Sequence, residues 1–242
     1  MMNKIKKLKY FMKGVYLYGG EKALREILKF YFSEKKECFN YFHIPKTGGK
    51  YIKKILSNNL DSNKFKSYEH IVKLKWINPN SKVIISIRDP IDRIISCYYS
   101  DIRNYEINNV QLGKFGIRLY EKFPTFEIAL KAFINNDKDI GLLTQLGLLS
   151  SISYWAEERH FSKIKNLTVI RTENLSEDIF CFLQKEFPDL KKWNNVINTF
   201  EGEKLKQTSK RDYDIDPNLK NDLKLFLKKE YKLYNYLLNR RI

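Results

Sequence analysis

Cysteine is scarce in this chain, and the three present (Cys38, Cys97 and Cys181) are widely spaced with no C-x-x-C pair. That pattern argues against a disulfide framework and a zinc site, and suits a reducing compartment with each cysteine a small buried apolar residue. Long apolar runs are missing too. Lys or Arg interrupts the opening segment MMNKIKKLKYFMKGVYLYGGEKALREILKFYF every few positions, so it falls short of the roughly 18 uninterrupted apolar residues a membrane span needs. It also lacks the pure apolar run and small-residue cleavage site of a secretory signal. A cytoplasmic protein is expected, with residues 1–36 a helical extension packed on the domain; peripheral contact of a basic amphipathic helix with an anionic membrane is the other reading.

Acidic residues are in deficit: 28 Asp and Glu face 45 Lys and Arg, for a formal charge of +17. Such a field attracts polyanions, whether nucleic acid, acidic lipid or substrates bearing phosphate, sulfate or carboxylate, and says nothing about fold. The lysines are spread over solvent faces without a known nucleic-acid motif, so no specific nucleic-acid partner is expected. There are no internal repeats, no low-complexity linker and no break in composition. Residues 37–242 therefore read as one domain, and 43% hydrophobic content is enough to build its core.

Residues 38–44 (CFNYFHI) have the composition of a buried strand, and helical spacing begins at Lys50. Lys82 to Ile87 (KVIISI) is too apolar for a one-sided sheet and fits a central parallel strand. Asp89 and Pro90 then provide an N-cap and a first helical residue. Helices are expected over 71–77, 126–134, 142–158 and 176–187, a strand over 166–170, and one long Lys-rich helix over 218–238. No element is evident over 105–123. Strands alternating with helices predict an α/β fold: a single P-loop-like domain with a central, mostly parallel sheet flanked by helices.

Between the first strand and helix lies Pro45-Lys46-Thr47-Gly48-Gly49. A glycine turn opening a helix presents backbone N–H groups to an anion, and the helix dipole favours negative charge there. The nucleotide-triphosphate pattern G-x-x-x-x-G-K-[ST] fails: Ile44 stands at its first glycine and Tyr51 at its hydroxyl, so a magnesium ligand is missing. A kinase would need an atypical loop. Further on, Arg88 stands at a strand end, where ligands of open α/β sheets collect. Ser96 follows about two turns into the next helix.

These two segments resemble the cofactor motifs of sulfotransferases, in particular the heparan sulfate and uronyl 2-O-sulfotransferase-like carbohydrate branch. The first is similar to P-K-T-G-G-T-S, departing at Lys50 and Tyr51, where backbone contacts would replace hydroxyl ones. The second, Arg88 to Tyr98, fits R-[DN]-P-x-x-R-x-x-S-x-Y at every fixed position. The resemblance implies 3′-phosphoadenosine 5′-phosphosulfate (PAPS) as co-substrate, bound by Lys46, Thr47, Gly48, Gly49, Lys50, Tyr51, Arg88 and Ser96. Weaker echoes are Val169 to Leu175 and the basic stretch Lys206 to Arg211, whose Ser209, Lys210 and Arg211 would fold over the nucleotide. Arg93 and Tyr98 are expected to serve the helix itself.

Sulfuryl transfer needs a base for the acceptor hydroxyl and positive charge at the departing oxygen, with positioning and electrostatics carrying the rest. No metal is needed if cations neutralise that oxygen, and Lys46 is the candidate. Of the three histidines, His43 is expected to be packed in the core and His160 to stabilise a helix C-terminus. His70 lies between the two motifs, where the resemblance implies a base, and is the candidate, with Glu69 the runner-up. The acceptor implied is a saccharide hydroxyl, the positive field suiting an acidic sugar. A basic nucleic-acid- or lipid-binding module, an atypical nucleotide kinase and a non-catalytic sulfotransferase fold are the competing readings.

Overall fold

The computed structural model describes residues 37–68, 74, 77–108, 121–135, 137, 152–188 and 215–240. At its centre is a four-stranded sheet with every pairing parallel: β1 (Phe39–Phe42), β2 (Phe65–Tyr68), β3 (Lys82–Ile87) and β4 (Asn166–Arg171), in the order β2-β1-β3-β4. The helices are α1 (Gly49–Asn59), α2 (Pro90–Asn108), α3 (Phe126–Ile134), α4 (Ile152–Trp155), α5 (Glu158–Phe161), α6 (Leu175–Glu186), α7 (Pro217–Phe226) and α8 (Lys228–Leu238). This is an α/β fold. The extension expected over 1–36 lies outside the described residues, as does nearly all of the helix expected over 71–77.

Strand sequences explain the layering. Val83, Ile85 and Ile87 join Val169 in a core beneath α4, α5 and α8, while Ile84 and Ile170 join Tyr41 in a second core beneath α1 and α6. Successive side chains point to opposite faces, so strands covered on both sides must be apolar throughout. A third cluster takes no strand residue: Ile94, Tyr98, Leu130 and Leu223 bring α2, α3 and α7 together. Arg93, only 1% exposed, lies 3.8 Å from Glu230, whose other carboxylate oxygen accepts the Ile152 N–H at 3.0 Å. That pair ties α2 to α8 and to the start of α4.

Several expectations need correction. β2 was not foreseen, because four residues alternating Phe65, Lys66, Ser67 and Tyr68 carry too little apolar pattern to stand out. α2 continues to Asn108, into a stretch read as featureless. The helix expected over 142–158 is broken at Ala156 and Glu157 in its described part, and the C-terminal helix breaks at Leu227, which caps both α7 and α8. Cys38 and Cys97 are buried, as expected, but Cys181 is exposed. His160 stands in the last turn of the four-residue α5, as expected, and also serves its start: its Nδ1 accepts the Glu157 N–H at 3.1 Å in a capping box. No helix among the described residues is long and apolar enough to cross a membrane.

Candidate functional site

β1 and β3 are adjacent and parallel, yet the chain leaves them in opposite directions, through α1 back to β2 and through α2 onward to β4. Such a switch opens a crevice beyond the carboxyl ends of the two strands, where ligands of open α/β sheets bind. The loops bordering it are Pro45 to Gly48 and Arg88 to Asp89.

A buried line of hydroxyls joins them. Thr47 Oγ1 donates to the Ile44 carbonyl at 2.8 Å and lies 2.6 Å from Ser86 Oγ, which lies 2.7 Å from the Tyr41 hydroxyl. Thr47 and Ser86 are both fully buried. The Thr47 side chain is therefore spent on holding the loop, leaving its N–H as the group that can meet a ligand. Ser86 passed unnoticed in the sequence, although it is the one hydroxyl within an otherwise apolar strand interior.

Loop geometry is set by two residues with positive φ, Lys46 (66°) and Gly48 (75°). Gly48 caps α1 from the left-handed region, which glycine adopts without steric cost. A Cβ there would sit 3.3 Å from Leu175 and 3.8 Å from Thr172, so the loop also abuts the segment after β4. Gly49 is held by space instead. A Cβ would come within 1.8 Å of the His43 ring, which underlies the loop. His43 is thus a packed core residue, as expected.

No described carbonyl accepts the N–H of Thr47, Gly48, Gly49 or Lys50, whereas Tyr51 N–H already donates to Gly48 at 3.0 Å. Tyr51, half-buried, also packs against the α1 core, and the backbone contact expected of it meets an amide already engaged. The remaining amides open onto a helix start with no acidic residue in its first turn. α2 and α6 begin at the same end of the sheet, and both differ. Asp92 stands in the first turn of α2, and Asp89 Oδ1 accepts from Ile91 N–H at 2.9 Å and Asp92 N–H at 3.2 Å. Glu177 and Asp178 occupy the first turn of α6. Of the three, α1 alone keeps its positive dipole end uncompensated.

Arg88 follows β3 directly, and the strand's period of two puts it on the Ser86 side. It is half-buried and makes no hydrogen bond or ion pair with a described residue. The neighbouring Arg171 is committed: its Nε and Nη2 donate to Asp178 at 2.9 and 2.8 Å, and this raises its pKa. Ser96 is half-buried on α2, its hydroxyl bonded to no described residue, about 9 Å along the axis from Pro90. No hydrogen bond joins it to Arg88. Arg93 and Tyr98 are structural, the tyrosine donating to the Phe123 carbonyl at 2.9 Å.

The Arg88 turn is held from two sides. Glu173 accepts the Asp89 N–H at 2.6 Å, and Thr172 donates through N–H and hydroxyl to the Ile87 carbonyl, each at 2.9 Å. Across from them Tyr231 donates its phenol to the Asp89 carboxylate at 3.0 Å. Burial, then the Asp89 charge, raises the Tyr231 pKa; burial with the Glu173 and Asp89 charges pushes Tyr234 up to about 12.

Tyr68, the last residue of β2, pairs with Phe42 at the same sheet end. Glu69 and His70 follow it and lie outside the described residues, as do Ser209, Lys210 and Arg211. No group of His, Cys, Asp and Glu suited to a metal is found among the described residues. No protein-family model, curated protein or solved structure matches the chain.

Proposed function

We propose that this chain is a PAPS-dependent carbohydrate sulfotransferase, moving a sulfuryl group to a saccharide hydroxyl by in-line displacement. The observation that carries the reading is the Thr47–Ser86 contact of 2.6 Å. It brings a loop of open amides and an uncommitted arginine to the same crevice, and these are the two anion-binding halves a nucleotide with phosphates at both ends requires. The residues present fit such a ligand: amides at an uncompensated helix start favour a phosphosulfate, and a guanidinium fork suits a phosphate.

In this reading PAPS supplies the activated sulfuryl group. The N–H groups of Thr47, Gly48, Gly49 and Lys50 hold its 5′ end, and Arg88 with Ser96 holds its 3′-phosphate. The Lys46 ammonium offsets charge on the departing oxygen, so no metal is called for. His70 takes the acceptor proton, with Glu69 the other choice, and Ser209, Lys210 and Arg211 cover the nucleotide. The formal charge of +17 favours an acidic saccharide as acceptor.

Incubation with sulfur-labelled PAPS and a panel of uronate-containing oligosaccharides tests the activity. Label should move to a sugar, and Lys46→Ala should slow transfer by about 100-fold or more, the usual effect of losing one transition-state donor. A folded protein that transfers no label to any oligosaccharide would remove the proposed reaction.

A further inference from the structure

The opposite end of the sheet has its own cavity, of about 460 Å³, at the amino ends of β3 and β4 beside the last turn of α6 and Arg240, just past α8. Among the described residues its wall carries Lys82, Lys165, Lys185 and Arg240 against a single carboxylate, Glu186. That carboxylate is taken: Lys82 pairs with it at 3.5 Å while lying 4.6 Å over the Phe39 ring. Arg240 spends its donors on the Phe161 and Ile164 carbonyls, which orients the guanidinium without cancelling its charge. Lys165 and Lys185 form no ion pair with a described residue, and the side chains of Asn166 and Thr168 on the same wall form no hydrogen bond with one.

We propose that this cavity is a second binding site, for a small ligand bearing two or more oxyanion groups. Three cations that no described carboxylate cancels surround one concavity and focus positive potential there, and the volume lies within the range of about 300–1,000 Å³ usual for small-ligand sites. Six residues of β3 and of β4 separate it from the Arg88 end, about 20 Å of extended chain. The site is therefore distinct from the candidate cofactor crevice and does not rest on the sulfotransferase reading. The shared chemistry is a cluster of oxyanions, whose source is either a free phosphorylated metabolite or the acid groups of a sugar chain.

Calorimetric titration at physiological salt, with inorganic pyrophosphate in one arm and trigalacturonate in the other, tests this in the full chain carrying Lys46→Ala and Arg88→Ala, so that the crevice does not compete for the probes. The informative variant is Lys165→Ala with Lys185→Ala. Lys220→Ala with Lys224→Ala, on the exposed face of α7, removes the same charge elsewhere. Saturable binding that weakens at least tenfold in the first variant and is unchanged in the second is the expected result. Loss in the pyrophosphate arm alone assigns a phosphorylated ligand, and loss in the trigalacturonate arm alone an acidic sugar. Binding that survives the first variant, an equal loss in both variants, or no saturable binding of either probe overturns the proposal.

Discussion

The hydroxyl oxygens of Thr47 and Ser86 lie 2.6 Å apart inside the domain, although 39 residues separate them in sequence. Removing either leaves its partner buried without that bond, at a cost of about 1–3 kcal/mol. Thr47→Val and Ser86→Ala should each destabilise the fold by that much. In a double-mutant cycle the pair should be strongly non-additive, with coupling of about 1 kcal/mol, read from urea midpoints. Additive losses would mean that the contact does not join the two loops.

Gly49 is glycine for lack of space. Gly49→Ala puts a methyl into the His43 ring, and overpacking of this kind costs about 1–3 kcal/mol. Combining it with His43→Ala should restore much of the loss in thermal midpoint relative to His43→Ala alone. A Gly49→Ala protein as stable as the parent would show that ring and loop do not pack together.

Arg93 and Arg88 share one motif and part company in the structure. Arg93 is buried against Glu230, and removing one partner of a buried pair costs about 3–5 kcal/mol. Arg93→Ala should show that loss in chemical denaturation, whereas Arg88→Ala should unfold at the parent's midpoint. Equal midpoints for all three proteins would contradict this division of roles.

The sequence made some of this plain and hid the rest for identifiable reasons. KVIISI marks β3 to the residue because a strand covered on both faces must be apolar throughout, and Asp89-Pro90 announces α2 by cap chemistry that is local. β2 escapes because only Phe65 and Tyr68 of its four residues are buried. The break at Leu227 escapes because neither glycine nor proline marks it. It falls where the buried leucines pass from the α2–α3 cluster (Leu219, Leu223, Leu227) to the sheet core (Leu233, Leu237), a change visible only in three dimensions. The site motifs were legible as order and spacing. That the Thr47 side chain points inward and the Tyr51 amide is spent depends on how the loop turns, which residue types do not reveal.

Tyr234 gives an alkaline signature. Its phenol holds its proton up to about 12 in the folded chain, against an ordinary value of about 10. A raised folded value stabilises fully below the unfolded pKa and is lost as pH climbs through the folded one. Stability should therefore fall between about pH 10 and 12, and Tyr234→Phe should flatten that fall when unfolding free energy is measured against pH. Parallel curves for parent and variant would contradict it.

The central claim is that the loop at Lys46 to Lys50 and the arginine at 88 hold one nucleotide between them. Calorimetric titration with adenosine 3′,5′-bisphosphate tests it most directly, comparing the parent with Arg88→Ala. The prediction is saturable binding by the parent, weakened about 10- to 100-fold in the variant, since a hydrogen bond to a charged group is worth about 1.5–3 kcal/mol. No binding by the folded parent at millimolar ligand, or unchanged affinity in Arg88→Ala, would contradict it.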